Sequence, residues 1–323
     1  MKIKLSRLLG GLVAAAAISF SAGAQADTYP SKPIRLVIPF APGGATDQVG
    51  RLVGQRLSEI LGQTVIADNR GGASGAVGAA EVARAKPDGY TLMVVLDSHA
   101  VNHHSIKGLQ FDTFKDFDYL SLMVTLPQVL VAKKTFKPST VPELIEYIKE
   151  KGGASYGSAG TASAGHVNSE TLAMHYGVTP THVPYRGAGP LLADLLGGHV
   201  DFAFAGLSVM LPQIQAGELK AIAISTRERS PKLPDTPTVA EYVPGFEIPT
   251  WVGLVAPAGL SPEVKASILD ALKQTLETPH VRESLEASAF NVVNSTPEEF
   301  LKRAKADSDV MADLIAKGVI EGA

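Results

Sequence analysis

The chain has 323 residues, of which 45% are hydrophobic and 19% charged, which is enough for one or two well-packed domains. It contains no cysteine, which excludes disulfide bonds, thiolate metal sites and cysteine nucleophiles. Its formal net charge of −3 and the lack of a basic run argue against a nucleic-acid-binding surface.

The first 26 residues have the composition of a secretory signal peptide. Lys2, Lys4 and Arg7 are basic, residues 8–20 are apolar, and Ala24-Gln-Ala26 supplies the small residues of a cleavage site. The apolar run has 13 residues, fewer than the roughly 20 that a membrane-spanning helix needs. No cysteine follows the site, so no lipid anchor is expected. We therefore predict cleavage after Ala26, export to the periplasm without a membrane anchor, and a mature net charge of −6.

The mature chain opens on a strand, a glycine-rich loop and a helix. Ile34–Ile38 is apolar, and the loop that follows contains Gly43 and Gly44, which permit positive φ and a close approach of ligand to backbone. Thr46 and Asp47 stand where a helix N-cap is expected. Unsatisfied N–H groups at a helix start attract anions. The pattern predicts half of a site for a small acid, although an ordinary strand-to-helix turn has the same pattern.

The next elements repeat that order. Residues 48–61 have helical hydrophobic spacing, 64–67 form a short strand, and 69–78 are a second glycine-rich loop. This loop lacks the G-x-G-x-x-G spacing of a dinucleotide fingerprint, so a nicotinamide cofactor is not expected. Residues 91–96 are uninterrupted apolar, as in a parallel strand that is buried on both faces.

Three histidines follow this strand and invite a zinc hypothesis. His99 and His103 are four residues apart, a spacing that places both on one helix face, and His104 is adjacent. No carboxylate motif such as H-E-x-x-H accompanies them. We therefore favour a loop with a short helix and solvated histidines, and predict no metal.

The second half of the chain predicts another α/β unit. Residues 120–124 and 128–132 are short β-like runs separated by Pro127, which is typical of a chain leaving one domain for another. After a helix at 142–150, short strands alternate with helices of roughly ten residues, which predicts a parallel doubly wound sheet. A hydroxyl-rich glycine loop occupies residues 155–166.

The remaining chain returns to the first unit. Residues 227–249 contain five prolines and little periodicity, as expected of an extended return crossing. Residues 251–256 are strand-like, and helices are predicted to begin at Ser261 and Thr296, each followed by a proline in the first turn. We expect both helices to pack onto the first unit.

No enzyme signature is complete in this sequence. A G-x-S-x-G elbow and a phosphate-binding loop are both missing. Ser98 and His99, and Ser163 and His166, place a hydroxyl near an imidazole, but no convincing third group accompanies either pair. A secreted hydrolase or lyase acting on small carboxylates is the alternative function.

Many ordered blocks resemble the Bug/TctC-type periplasmic receptors of tripartite tricarboxylate transporters, over essentially the whole mature chain. The blocks are Tyr29-Pro-x-Lys-Pro-Ile-Arg35, Val37-Ile-Pro-Phe-Ala-Pro-Gly-Gly-Ala-Thr-Asp47, Asp68-Asn-Arg-Gly-Gly-Ala-Ser-Gly75, Lys86-Pro-Asp-Gly-Tyr-Thr-Leu92, Asp116-Phe117, Tyr156-Gly-Ser-Ala-Gly-Thr161 with His166, Tyr185-Arg-Gly187, Gly198-x-Val-Asp-Phe-Ala203 and Asp235-Thr-Pro-Thr-Val-Ala-Glu241.

The resemblance implies a two-lobe α/β periplasmic binding protein of type II, a flytrap with two crossing segments. Residues 27–128 plus 248–323 would form lobe 1, and 129–247 lobe 2. Such a receptor captures a small carboxylate between its lobes, without a cofactor, and delivers it to membrane transporter subunits. We expect a monomer. A soluble sensor that presents its ligand to a membrane kinase would have the same fold and site.

The resemblance also points to site residues. In the family, loop amides, hydroxyls and ordered waters hold the ligand carboxylate. We expect ligand contacts from Phe40, Pro42, Gly43, Gly44, Thr46, Asp47, Ser98, Ser158, Gly160, Thr161, Ser163, His166, Arg186 and Gly206. The sequence departs from the family after Asn102, where His103 and His104 stand in place of a proline-containing stretch. This departure leaves open which side chains meet the distal end of the ligand.

Overall fold

The computed structural model describes residues 29–151, 153–318 and 320. The predicted signal peptide and its cleavage site lie outside these residues. The strands, in chain order, are β1 (Ile34–Ile38), β2 (Val65–Asn69), β3 (Thr91–Leu96), β4 (Phe117–Leu126), β5 (Gln128–Lys133), β6 (Ser155–Ser158), β7 (Thr181–Pro184), β8 (Phe202–Gly206), β9 (Leu219–Ile224), β10 (Thr250–Pro257) and β11 (Asn291–Val292).

Ten α-helices are assigned in the part of the chain that the structure describes. They are α1 (Ala45–Leu61), α2 (Ala76–Ala83), α3 (Ser98–Ser105), α4 (Val141–Lys151), α5 (Ala164–Tyr176), α6 (Ala188–Gly197), α7 (Leu207–Gln215), α8 (Pro262–Glu277), α9 (Pro279–Ala287) and α10 (Pro297–Ala316). None of these helices is long and apolar enough to cross a membrane.

The strands form two mixed sheets. The first has the order β2-β1-β3-β10-β4-β11, in which β1, β2 and β3 are parallel and β10 is antiparallel to both of its neighbours. The second has the order β7-β6-β8-β5-β9, in which β6 is parallel to β7 and β8, while β5 is antiparallel to β8 and β9. The α/β architecture with two sheets and two crossings agrees with the expected fold class.

The second sheet is not the parallel sheet that we predicted. The strand β5 follows β4 after the single residue Pro127, and β10 follows β9 after residues 225–249. Both strands therefore enter their sheet from the side that faces the other sheet. The parallel strands instead end on that side, so an entering strand has to run antiparallel to them. The strands β5 and β10 are antiparallel to their neighbours because the chain enters each of them directly from the other sheet, and not through a helix that packs on the same sheet.

Apolar residues cover both faces of each sheet. On one face of the first sheet, α1 and α8 bury Val53 and Leu272 against Leu36 and Leu254. The other face carries Trp251, whose ring meets Phe300 of α10 edge-on at 5.1 Å between ring centroids. The C-terminal helices therefore pack on the first sheet, as predicted. The carboxyl ends of the parallel strands are left uncovered by these helices and face the second sheet.

Candidate functional site

A cavity lies between the two sheets, where the parallel strands end. It is named the central cavity here, and its volume is about 40 Å³, room for roughly three water molecules. It is lined by Phe40, Gly44, Ala45, Thr46, Leu96, Asp97, Leu126, Gln128, Ala159, Ser163, Ala164, Gly165, Gly187, Ala188, Phe204, Ala205, Gly206, Val209 and Thr250. Ligands of open α/β sheets bind at this kind of edge.

Four helices begin at the central cavity. The N-caps are Gly44 for α1, Ser163 for α5, Gly187 for α6 and Gly206 for α7, and all four residues line the cavity. The first amides of a helix have no intrahelical acceptor and carry partial positive charge, so each start favours an anion. Within the described residues, no lysine or arginine lines the cavity. Any anion held there would be bound by neutral dipoles.

Two buried hydroxyls in the cavity wall have no hydrogen-bond partner among the described residues. These are Thr46 Oγ1 in the first turn of α1 and Ser163 Oγ at the start of α5. Their residues are 1% and 4% exposed. A buried hydroxyl without a partner costs free energy, about 1–3 kcal/mol. Two of them in one cavity indicate that a polar ligand group supplies the missing hydrogen bonds.

The first-sheet loop is held in place by Asp47. Its carboxylate accepts hydrogen bonds from the Gly43 N–H at 3.0 Å, from Arg51 Nε at 2.9 Å and from Asn69 Nδ2 at 3.0 Å. Burial opposes ionisation, but these hydrogen bonds outweigh it, so the pKa of Asp47 is lowered. Asp47 therefore orders the loop and the start of α1, with its own oxygens occupied by the protein.

The expected N-cap at Thr46 or Asp47 is wrong. The helix α1 begins earlier, with Gly44 as its N-cap. Of the two glycines that we expected to permit positive φ, Gly43 adopts it, at +87°, whereas Gly44 has φ −83°. The reason is that the Asp47 carboxylate accepts a hydrogen bond from the Gly43 N–H, so the helix begins earlier in the chain than we expected.

The loop on the second-sheet side is shaped by two histidines. Ser158 Oγ lies 2.7 Å from His182 Nε2 and donates to the Gly160 carbonyl at 2.9 Å. The Ala162 N–H donates to His166 Nδ1 at 3.0 Å, and the His166 ring stacks on His182 at 4.0 Å between centroids. Burial lowers the pKa of His166 to about 3 and that of His182 to about 4. Both rings are neutral at pH 7, as an accepting Nδ1 requires.

The structure brings some of the expected site residues together in the cavity wall. Those that line it are Phe40, Gly44, Thr46, Ser163 and Gly206. Pro42 and Gly43 lie in the loop before α1, and Asp47, Ser158 and His166 lie in α1, β6 and α5, next to the loops that form this wall. The remaining four, Ser98, Gly160, Thr161 and Arg186, lie outside it.

Contacts across the cleft explain three of these four positions. Ser74 Oγ, which belongs to the first-sheet side, donates to the Thr161 carbonyl at 2.7 Å, and a side chain at Gly160 would collide with the same hydroxyl. The Arg186 side chain is exposed, while its backbone carbonyl accepts from the Ala41 N–H at 3.4 Å. The two sides therefore touch on both flanks of the cavity.

The fourth residue, Ser98, supports this contact from behind. It is fully buried, and its hydroxyl donates to the Ser74 carbonyl at 3.1 Å. The Asn102 side-chain amide donates to the same carbonyl, also at 3.1 Å. Ser98 therefore holds the segment that reaches across the cleft.

Sequence reasoning missed three polar residues of the cavity wall, namely Asp97, Gln128 and Thr250. The Asp97 carboxyl accepts from the Ser98 N–H at 2.7 Å and from the Thr250 hydroxyl. Burial raises the pKa of Asp97 to about 7, against the opposing hydrogen bond from Thr250. Asp97 follows a buried strand directly, and that signal was available in the sequence. Gln128 and Thr250 begin the two strands that enter a sheet after a crossing.

The histidines at 99, 103 and 104 serve packing in this structure. His99 lies against Phe117, with ring centroids 4.7 Å apart, and burial lowers its pKa to about 3. His103 and His104 both approach Ser308 Oγ of α10, at 3.2 Å and 2.9 Å from Nε2. Among the described residues, no three His, Asp or Glu side chains are placed to hold a metal ion. The three rings join α3 to its neighbours.

The two serine–histidine pairs that are close in sequence form no hydrogen bond within the described residues. Ser98 donates to a backbone carbonyl, and Ser163 Oγ has no partner in the described chain, so neither bonds the histidine near it in sequence. The pair that does form is Ser158 with His182. Ser158 is fully buried, and no hydrogen bond joins His182 to a carboxylate in the described ranges. This arrangement lacks the orienting group of a hydrolytic triad.

Comparisons with known proteins agree over nearly the whole chain. A family model described as the tripartite tricarboxylate transporter family receptor, TctC, matches residues 49–319. Protein BugT of Bordetella pertussis is 32% identical over 300 residues, which is 92% of this chain and 91% of that protein.

Two solved structures that share this fold contain a named ligand. The R. palustris protein Rpa4515 with adipate is 30% identical, has a TM-score of 0.86, and is matched over 89% of this chain and 97% of that one. MatC from Rhodopseudomonas palustris with bound malate is 31% identical, has a TM-score of 0.83, and is matched over 89% of this chain and 100% of that one. The likeness in fold therefore extends over both sheets.

Proposed function

Because the chain belongs to the TctC family of tripartite tricarboxylate transporter receptors, we propose that it captures a small carboxylate in the central cavity and delivers it to membrane transporter subunits. The observation that carries this proposal is the meeting of four helix N-termini with the unpartnered hydroxyls of Thr46 and Ser163. The N–H groups at the helix starts and the two hydroxyls can all donate hydrogen bonds to a carboxylate.

The ligand carboxylate accepts hydrogen bonds from these hydroxyls and from the first amides of α1 and α5. Hydrogen bonds to a charged group are each worth about 1.5–3 kcal/mol. They act more strongly once the two sides exclude water, because the effective dielectric constant falls. Phe40 and Gly206 line the cavity without contributing a hydrogen-bonding side chain, so they affect only its shape.

Capture proceeds by closure of two lobes, residues 27–128 plus 248–323 and residues 129–247. A ligand favours the closed form because only that form touches it with both sides. The contacts of Ser74 with Thr161 and of Ala41 with Arg186 support this proposal, since both join the sides without a covalent link. A cavity of about 40 Å³ is smaller than a dicarboxylate, so the sides must separate somewhat to admit one.

The carboxylate class is supported by two relatives, whose structures contain adipate and malate. The alternative function, a secreted hydrolase or lyase, is not supported, because Ser158 is buried and no carboxylate in the described chain is hydrogen-bonded to His182. Incubation of the mature protein with candidate acids, followed by a search for products, separates the two functions. We expect binding without turnover.

A thermal-shift screen of the mature protein against small acids tests the proposal. A ligand present at 100 times its dissociation constant stabilises the folded state by about 2.7 kcal/mol. Calorimetric titration of each hit should give one ligand per chain. A panel in which no acid raises the melting temperature, or a stoichiometry of two, would contradict the proposed site.

Export completes the proposal. The signal peptide is removed after Ala26, and the mature chain acts in the periplasm as a monomer. Intact mass of the periplasmic protein, together with size-exclusion chromatography with light scattering, checks both statements. A retained Met1, an added lipid or a dimer would contradict them.

A further inference from the structure

Asp97 is the only ionisable residue among the described residues that line the central cavity. It directly follows β3, and it keeps some accessible surface although Ser98 and Thr250 beside it are buried. A carboxyl at this place is unexpected in a wall otherwise suited to anions. It lies in the same cavity as the helix starts, and it opposes their electrostatic effect.

The hydrogen bonds of Asp97 leave it with unused acceptor capacity. One oxygen accepts from the Ser98 N–H, and the other accepts from the Thr250 hydroxyl. A carboxylate offers about four acceptor positions, so roughly two remain. Residues that line the central cavity next to it supply no further donor to it within the described chain.

No cation neutralises Asp97 in the described chain. The charged groups that face it come from α10, where Arg303 pairs with Asp307 at 2.9 Å, and Asp307 also accepts from Trp251 Nε1 at 2.6 Å. Glu247, on the crossing segment, lines a neighbouring cavity of about 270 Å³ that Asp97 also borders. The lining residues from α5 are uncharged. Asp97 therefore borders the central cavity without an ion pair among the described residues, and the nearby Arg303 offsets its charge only in part, because Asp307 opposes it.

We propose that Asp97 determines ligand specificity by binding an ammonium group, so that the preferred ligand is a small amino carboxylate rather than a plain dicarboxylate. This proposal rests on the proposed function, because the ligand carboxylate is held by the helix starts. An ammonium group supplies the cation and the donors that Asp97 lacks. A second carboxylate at the same place is repelled by the ionised side chain.

The proton on Asp97 gives the proposal a pH signature. The side chain titrates near pH 7, because burial raises its pKa. An ammonium ligand binds the ionised form, so its affinity rises with pH through this range. A second carboxylate binds the protonated form, which donates a hydrogen bond, so its affinity falls as pH rises. The two ligand classes thus give slopes of opposite sign.

The experiment uses pairs of ligands that differ in one end group, titrated by calorimetry into the mature protein. The pairs are 3-aminopropanoate with succinate, 4-aminobutanoate with glutarate, and 5-aminopentanoate with adipate. We expect the best amino carboxylate to bind at least about tenfold more tightly than its dicarboxylate at about pH 8.5. Near pH 5.5 its affinity should be at least several-fold weaker, because most of Asp97 is protonated there.

Asp97→Asn removes the charge with little change of shape. We expect this variant to lose both the preference for the amino ligand and the pH dependence. The matched control is Asp201→Asn, which alters a carboxyl outside the cavity that accepts from the Ser155 N–H at 2.8 Å and should leave both properties intact. If Asp97→Asn does not fold, the pH slopes of the wild-type protein with the ligand pairs decide the question.

The following outcomes would contradict the proposal. Tighter binding of the dicarboxylates at about pH 8.5, or an unchanged preference in Asp97→Asn, overturns the role of Asp97. If the dicarboxylates bind more tightly than their amino partners and Ser163→Ala weakens that binding, the proposed function stands while this inference falls. If no acid of either class binds the wild-type protein, both fall together.

Discussion

The Ser74 hydroxyl donates a hydrogen bond of 2.7 Å to the Thr161 carbonyl, and so joins the two sides of the cleft. Ser74 is held from behind, because its own carbonyl accepts from Ser98 and Asn102. The hydrogen bond therefore connects a fixed point on the first-sheet side to the loop that leads to Ser163. It forms only when the two sides are together.

Ser74→Ala should weaken ligand binding without weakening the unliganded fold. Loss of one hydrogen bond that exists only in the closed form costs about 0.5–1.5 kcal/mol, which is roughly 2- to 13-fold in dissociation constant. The loss should be in the dissociation rate, measured by stopped-flow fluorescence or surface plasmon resonance. Ser58→Ala is the matched control, because Ser58 Oγ bonds the Gly54 carbonyl within the first-sheet side. An equal loss of affinity in both variants would argue against a contact specific to closure.

The two unpartnered hydroxyls should act on affinity and not on stability. We expect Ser163→Ala and Thr46→Val each to lower affinity by about 1–3 kcal/mol, since each removes a hydrogen bond to a charged ligand. The melting temperature without ligand should stay equal or rise, because a buried group without a partner is removed. Ser169→Ala is the control on the same helix, since its hydroxyl already donates to the Gly165 carbonyl at 2.8 Å. Full affinity in both cavity variants would contradict the site.

Gly189→Ala should hold the two sides apart. A Cβ at Gly189 would lie 2.8 Å from the Pro42 carbonyl oxygen, a backbone atom on the opposite side of the cleft. We expect weaker ligand binding and a smaller compaction on ligand addition, measured by small-angle scattering. Gly197→Ala, at the other end of α6, is the control, because its Cβ would meet only the exposed His199 ring. Unchanged compaction in Gly189→Ala would show that closure does not bring these two segments together.

Stability should fall as pH drops from about 6.5 towards 4. Burial lowers the pKa of His99 and His166 to about 3 and of His182 to about 4, so below pH 6.5 the unfolded chain binds protons that the folded chain does not. Each histidine contributes at most about 1.4 kcal/mol per pH unit in this window. Asp97 acts in the opposite direction: its pKa is raised to about 7, so its contribution is lost as pH rises.

The net slope is therefore roughly 1–3 kcal/mol per pH unit, with stability greatest near neutral pH. Urea unfolding at several pH values measures it. Replacement of the buried His99 by Phe should reduce the slope, whereas His280→Gln, at an exposed position on α9, should leave it unchanged. A flat profile between pH 4 and 6.5 would mean that the buried rings are protonated in the folded state.

The secondary structure followed from hydrophobic periodicity wherever one face of an element is buried. The strands at Ile34–Ile38 and Thr91–Leu96 were predicted with their observed bounds, and most other elements within a few residues. The helix α9 was missed, since no helix was predicted between the one that begins at Ser261 and the one that begins at Thr296. The two-residue strand β11 was also missed, since it is recognised as a strand only by its pairing with β4.

The candidate site was predicted in part, for a physical reason. Thr46 and Ser163 lie in glycine-rich loops at strand ends, a local pattern that a sequence displays directly. Gln128 and Thr250 reach the cavity because two antiparallel strands enter their sheets there, and no antiparallel strand was predicted from the sequence in either sheet. The Arg186 side chain was expected in the site but lies outside the cavity wall, whereas its backbone carbonyl accepts a hydrogen bond across the cleft. Whether the side chain or the backbone of this residue reaches the cleft depends on the assembled fold.

A crystal structure of the mature protein with its tightest-binding acid tests the central claim most directly. We predict one ligand between the sheets, with a carboxylate within about 3.2 Å of Thr46 Oγ1, of Ser163 Oγ and of the first amides of α1 and α5. A carboxylate held by the Arg186 guanidinium, by the histidines at 103 and 104, or outside the central cavity would contradict it.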